Sequence, residues 1–218
     1  MSTETAEATV GMSADAVCHV PVPVCRIEGF LGATRADALL ERALREPDCF
    51  TESKVIHDDG FIETDRSTRR STSHIEFAAP ELMCAIDDVR PTVESILGVS
   101  CSLGTFEYEL ATHGDGDFFA AHHDVGAPGT NSRVLTFVYY LHRTPKEFTG
   151  GQLRVYDVAV SAGQPSNPTS YRDFEPDHDS IVFFRPTAFH EVRPIACPTG
   201  QVGDGRFAIN GWLCRTEI

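Results

Sequence analysis

The run Arg206-Phe207-Ala208-Ile209-Asn210-Gly211-Trp212-Leu213 alternates in character: Phe207, Ile209 and Leu213 are apolar, while Arg206, Asn210 and Trp212 carry polar groups. A repeat of two is that of a β-strand, whose successive side chains point to opposite faces. One face is suited to a core. The other gathers a guanidinium, an amide and an indole. An arginine buried with such neighbours is costly without an anionic partner, and its planar fork can grip a carboxylate through two parallel hydrogen bonds. An exposed arginine at a strand end is the alternative left open by this strand alone.

Upstream, β-rich runs recur at 103–112, 117–122, 133–141, 151–157, 171–175, 180–184 and 188–194. Turn signals separate them: Gly114-Asp115-Gly116, Gly126 to Gly129, Gly150-Gly151, Pro165 to Pro168 and Pro198 to Gly205. About eight closely spaced strands predict a double-sheet jelly roll. The first third reads differently. Thr34, with Asp37 three residues on, predicts a capped helix start, with Leu39, Leu40, Ala43 and Leu44 as its buried stripe. A second helix opens at Pro80, carries Leu82, Ile86, Val89, Val93 and Leu97, and closes at Gly98; Pro91 should kink it or start another. The polar stretch 50–78 suggests strands around Val55 and Ser73–Phe77. The expectation is a mainly β fold with helices packed on one sheet. Residues 1–16 read as a mobile leader, and 17–218 as a single domain with its jelly-roll core at about 102–214.

The net charge of -14 disfavours a duplex or an anionic membrane as partner, and the only dense basic cluster is Arg66, Arg69 and Arg70. No apolar run approaches the roughly 20 residues that span a bilayer, and the N-terminus lacks the pattern of a signal peptide. Seven cysteines without a CxxC read as reduced thiols in a cytoplasmic protein. The sequence is silent on oligomeric state.

Chemistry concentrates in Phe118-Phe119-Ala120-Ala121-His122-His123-Asp124-Val125 and, far downstream, Ala188-Phe189-His190-Glu191-Val192. In an extended segment His122 and Asp124 can aim at one point while His123 faces elsewhere. With His190 they would supply two imidazoles and one carboxylate, the facial set of non-haem iron(II) oxygenases, which leaves positions open for other ligands. Taken alone, an HxD pair also fits ordinary half-buried residues of a sheet. A second pair, His113-Gly114-Asp115, ranks lower because its glycines mark a turn.

In order along the chain stand His122-x-Asp124, Arg133-Val134-Leu135-Thr136-Phe137-Val138-Tyr139-Tyr140-Leu141, Gly150-Gly151-Gln152-Leu153, Phe189-His190-Glu191-Val192-Arg193-Pro194 and Arg206-Phe207-Ala208-Ile209. This series resembles the prolyl 4-hydroxylase-like branch of the Fe(II)/2-oxoglutarate-dependent dioxygenases over about residues 103–214. The resemblance implies a double-stranded β-helix (jelly roll) supported by N-terminal helices, with Fe(II) on His122, Asp124 and His190. It implies 2-oxoglutarate held by Arg206 with Tyr140 at the same end, and a pocket lined by Thr136, Val138, Leu153, Asn210 and Trp212. It further implies O2 as co-substrate, ascorbate as a reductant, and hydroxylation of a C–H bond with release of succinate and carbon dioxide. Related halogenases carry a small residue where Asp124 stands, so its carboxylate points to hydroxylation. Two positions depart from the family: Thr112, where relatives have tyrosine or asparagine near the co-substrate, and Asn210, where threonine or serine is common.

For the substrate, the loop that often covers the site in this family corresponds to Phe61–Arg70. Arg66 and Arg69 could meet a substrate carboxylate, or could be solvated charges on a hairpin. His113, Asp115 and Asp117 are placed near the mouth; His142 and His178 read as surface residues. A peptidyl proline or other amino-acid side chain, a free amino acid and a natural product all remain open. So do two other classes: a non-catalytic metal-binding jelly roll and a zinc hydrolase, the latter having no use for Arg206.

Overall fold

Strand Arg206–Cys214 lies within a seven-stranded sheet of a computed structural model that describes residues 17–101, 104–161 and 163–215. The order of this large sheet is Val24–Glu28, Ser180–Phe184, Arg133–Leu141, Arg206–Cys214, Thr105–His113, Thr72–His74 and Thr51–Glu52. A five-stranded sheet runs Tyr171–Phe174, Leu153–Tyr156, His190–Val192, Phe118–His122 and Arg69–Arg70. Every paired neighbour is antiparallel. The expected mainly β jelly roll with helices on one sheet is therefore observed.

The period-two pattern decides what each face meets. Along Arg133–Leu141, Leu135, Phe137, Tyr139 and Leu141 pack into one core with Phe207, Ile209 and Leu213 and with helix residues Leu39, Leu82 and Ile86. The intervening Val138 and Tyr140 join Val182, Phe184 and Ala208 against Leu153 and Val155 of the smaller sheet. Thus the large sheet has helices on one side and the second sheet on the other. Gly211 keeps the helix side closely packed: a Cβ there would fall 2.4 Å from the ring of Phe137, its cross-strand partner.

The helices are Ala33–Arg45 and Pro80–Leu97. The second ends on Gly98 at φ 61, as its glycine predicts, and it continues through Pro91 with no second start. The first is not capped by Thr34. Gly32 occupies the cap position at φ 84, without a side-chain cap bond, a conformation that suits glycine and not threonine. Its approach is fixed from a distant loop. The Asp179 carboxylate accepts hydrogen bonds from the Leu31 and Gly32 N–H groups (2.8 and 2.9 Å) and from the Tyr139 hydroxyl (2.8 Å). Asp179→Ala should lower unfolding stability by about 2–4 kcal/mol, because buried donors lose their acceptor. A urea titration would show this as a reduced midpoint.

The sequence predicts a β-like stretch at 18–24, and Val17–Val20 is a strand, but its partners in a small sheet, Val158–Ser161 and beyond it Gln164–Ser166, were not expected. Pro165 was expected in a turn. It lies instead in an edge strand, where a missing N–H is tolerated. His142 and His178 are also not simple surface residues: the His142 N–H donates to His178 Nδ1 (3.1 Å), and the His178 N–H to His142 Nε2 (2.9 Å). The expected leader, 1–16, lies outside the described residues. No helix among the described residues is long and apolar enough to cross a membrane.

Candidate active site

His122 closes strand Phe118–His122, and His190 opens strand His190–Val192; the two residues face each other as cross-strand partners. That register brings together residues far apart in the chain. Asp124 follows the strand and is held by its own N–H donating to the Pro186 carbonyl (2.9 Å). His122 Nε2 lies 3.5 Å and His190 Nε2 3.7 Å from Asp124 Oδ1, and the three form a group that could hold a metal ion.

Each ring is oriented from behind. His122 Nδ1 is 2.8 Å from the Ala120 carbonyl, and His190 Nδ1 2.9 Å from that of Ala188. Placing the ring protons on Nδ1 leaves both Nε2 lone pairs aimed at the centre. Burial pushes His190 down to about 4, so this imidazole is neutral near neutral pH. Burial acts to raise the Asp124 pKa, but the two imidazoles beside it outweigh this and hold the carboxyl well below its usual range. A neutral imidazole and an ionised carboxylate are the states that bind metals. The Thr136 hydroxyl donates to Asp124 Oδ2 (2.7 Å) and fixes the carboxylate's rotation. Thr136→Val, which keeps the shape and removes the donor, should weaken divalent metal binding by roughly 10- to 100-fold in an anaerobic titration.

Behind this group lies an inner cavity of about 50 Å³ lined by His190, Thr136, Val138, Leu153, Asn210 and Arg206, among others. Arg206 is 1% exposed, and its Nε and one terminal nitrogen have no hydrogen-bond partner. The Tyr140 hydroxyl, Trp212 Nε1 and His113 Nε2 are likewise buried and unpartnered. Tyr140 is not among the cavity's lining residues, but its ring centroid is 4.9 Å from the guanidinium carbon. Burial pushes the phenol up to about 12 despite the nearby arginine, so it remains a hydroxyl. Buried donors left unmatched around a cation describe a cavity shaped for an anion with several acceptor oxygens.

The pattern of the 2OG-Fe(II) oxygenase superfamily matches residues 108–214, which contain all three members of the metal group and Arg206. Over these residues the chain is similar to the members of this superfamily. A PKHD-type hydroxylase of Synechocystis sp., itself described as uncharacterized, is 36% identical over 107 residues. That alignment takes in 49% of this chain, which spans only 35% of the relative's length. Among solved structures, a prolyl-4-hydroxylase from Pseudomonas putida shares the fold with a TM-score of 0.61 and 22% identity, over 90% of this chain and 94% of that one. HygX from Streptomyces hygroscopicus, solved with nickel, 2-oxoglutarate and hygromycin B, gives 0.55 and 12% over 89% and 84%.

Several expected site residues stand elsewhere than the sequence suggested. His113 is not at a substrate mouth. Strand Thr105–His113 continues through it and pairs it with Arg206, so it is 2% exposed, with Nδ1 3.4 Å from an Arg206 terminal nitrogen. Burial and the nearby Arg206 and Arg69 hold its pKa well below the usual histidine range. Its partner in the second HxD, Asp115, instead accepts from the Cys197 N–H (2.9 Å), so those side chains diverge. Thr112 shares the strand parity of Leu110, which packs against the helices, and does not line the cavity.

Arg66 is 72% exposed, pairs with Glu52 and lines neither the inner cavity nor the groove outside it. Arg69 does line both. Strand Arg69–Arg70 extends the smaller sheet beside Phe118 and Phe119, and there Arg69 bonds to Ser71 and Ser73 and pairs with Glu109. Glu109 and Arg133 went unnoticed as site residues. Arg133 stacks 3.5 Å over Trp212, pairs with Glu107 and donates to the Asp124 carbonyl (3.0 Å). The signal for Glu109 was the same alternation, since it shares parity with His113.

Proposed function

We propose that this chain is an Fe(II)- and 2-oxoglutarate-dependent dioxygenase that hydroxylates an unactivated C–H bond of a prolyl or amino-acid-type substrate, releasing succinate and carbon dioxide. The observation that carries this reading is the pairing of two unlike sites. The convergent His122, Asp124 and His190 side chains stand next to an inner cavity whose buried Arg206 has unmatched donors. A metal-binding module or a zinc hydrolase would leave that cationic cavity unexplained.

His122, Asp124 and His190 would hold the iron, with Thr136 and the Ala120 and Ala188 carbonyls fixing their orientation. Arg206 would donate to the distal carboxylate of 2-oxoglutarate, assisted by the Tyr140 hydroxyl. Val138 and Leu153 would flank its methylene chain, and Asn210 and Trp212 the end nearer the metal group. Bound together with O2, iron and 2-oxoglutarate supply the oxidising equivalent that inserts oxygen into a C–H bond. The chain's own part is to position the groups and to exclude water from the inner cavity.

Substrate would approach through an outer groove of about 540 Å³ that meets the inner cavity at Arg69, Glu109, Phe119, His122, Asp124 and Trp212. This volume suits an amino-acid side chain with its flanking groups. Arg69 is committed to its neighbours, so its part is to form the wall beside the reacting carbon. One observation favours the second reading, a free amino acid or natural product. The groove sets charged Glu52, Lys54, Asp58 and Glu107 beside apolar Val55, Ile56, Ile62 and Ile75, so it offers partners for the charged groups of a small molecule along with cover for its apolar body.

Anaerobic addition of Fe(II) and 2-oxoglutarate should produce a weak visible charge-transfer band. Admission of O2 with a library of peptides and small molecules should yield succinate and a product heavier by one oxygen atom. Metal and 2-oxoglutarate binding without succinate under any substrate would indicate a non-catalytic relative. Failure of the band in the wild type would remove the proposal altogether.

A further inference from the structure

Among the described residues, two groups bring three metal-ligating atoms within 4.8 Å of one another: the one above, and Glu46, Cys49 and His74. We propose that Glu46, Cys49 and His74 form a second metal site, for a zinc-type divalent ion, on the helix-packed side of the large sheet.

The site is assembled from two segments. Glu46 follows helix Ala33–Arg45 and precedes the 3-10 turn Pro47–Cys49. In a 3-10 turn, residues three apart eclipse, so the Glu46 carboxylate and the Cys49 sulfur come to the same side. His74 ends strand Thr72–His74, which lies between Thr105–His113 and the edge strand Thr51–Glu52, and it stands opposite Leu110, which belongs to the core beneath the helices. Its ring lies edge-on between Phe50 (5.7 Å) and Phe77 (5.6 Å), and those contacts hold the imidazole with Nε2 2.9 Å from Glu46 Oε2. His74 is 7% exposed and Cys49 is an exposed free thiol.

One nitrogen, one sulfur and one oxygen ligand form a donor set that zinc accepts, with an open position toward solvent for water. Binding converts the Cys49 thiol to a thiolate, its proton passes to solvent, and no electron is transferred. The bound ion would clamp the end of helix Ala33–Arg45 to strand Thr72–His74 of the large sheet and stabilise that junction by mass action. The simpler alternative is a His74–Glu46 pair with a bystander thiol.

Cobalt(II) titration of the full chain under anaerobic conditions separates these. The His122–Asp124–His190 group has no sulfur, so a near-ultraviolet sulfur-to-cobalt band reports the second site alone. The band should appear in the wild type, in Cys84→Ala and in the double variant His122→Ala/His190→Ala. It should be lost in Cys49→Ala and in His74→Gln, and weakened in Glu46→Gln. If His74→Gln does not fold, the two variants nearer the surface still decide the matter. No band in the wild type, or a band that survives Cys49→Ala, would overturn the proposal. Because this readout does not use turnover, the result is independent of the oxygenase reading.

Discussion

Arg206→Met is expected to weaken 2-oxoglutarate binding by roughly 100-fold or more while leaving the apo protein as stable as the wild type, or more so. The two effects have one cause. Arg206 is buried with two unpartnered guanidinium nitrogens, so in the empty protein it is an uncompensated charge. Truncating one partner of a buried, hydrogen-bonded charge pair costs about 2–5 kcal/mol of binding, and each 1.4 kcal/mol is about tenfold in affinity. Replacing a buried charge by an apolar side chain of similar volume is often neutral or stabilising. Calorimetric titration should therefore show the lost affinity, and thermal unfolding should show an unchanged or raised midpoint without ligand. The stabilisation that 2-oxoglutarate gives the wild type should disappear. A variant that unfolds easily but binds 2-oxoglutarate normally would mean that Arg206 is a structural residue.

The second large effect is at the metal group. Asp124→Ala should reduce iron affinity by more than the roughly 10- to 100-fold typical of losing a residue that only orients a ligand, and should abolish hydroxylation. Asp124 stands between the two imidazoles, at 3.5 and 3.7 Å, and carries the only negative charge of the three. Its removal leaves two neutral ligands and strands the Thr136 hydroxyl. Anaerobic metal titration followed by a succinate assay measures both losses. Retention of a full visible band with iron and 2-oxoglutarate in Asp124→Ala would count against the ligand assignment.

Much of this was readable along the chain wherever the signal is local and periodic. The split of Phe207, Ile209 and Leu213 from Arg206, Asn210 and Trp212 is the split between the helix-side core and the inner cavity. Strand Ser180–Phe184 and the Gly98 helix end likewise follow from local pattern. Errors arose where a partner lies far away in sequence. Thr34 lost the cap position to Gly32, whose approach is fixed by the distant Asp179, and His113 became buried through its pairing with Arg206; neither long-range partner has a local signature. The meeting of His122 with His190 is a cross-strand register that no local pattern encodes; the two-histidine, one-carboxylate donor set and the family resemblance suggested it. Of the small sheet, the β character near Val17–Val20 was legible but its partners Val158–Ser161 and Gln164–Ser166 were not, because they have three or four residues each and one contains proline.

The alternation along Arg133–Leu141 has a consequence for how such a protein can change over time. Neighbouring positions answer to different demands: Phe137 and Tyr139 to cohesion with the helices, Thr136 and Val138 to the chemistry on the opposite side. A sequence can therefore drift at the even positions toward new ligands while the odd ones go on anchoring the scaffold, within a single stretch of backbone.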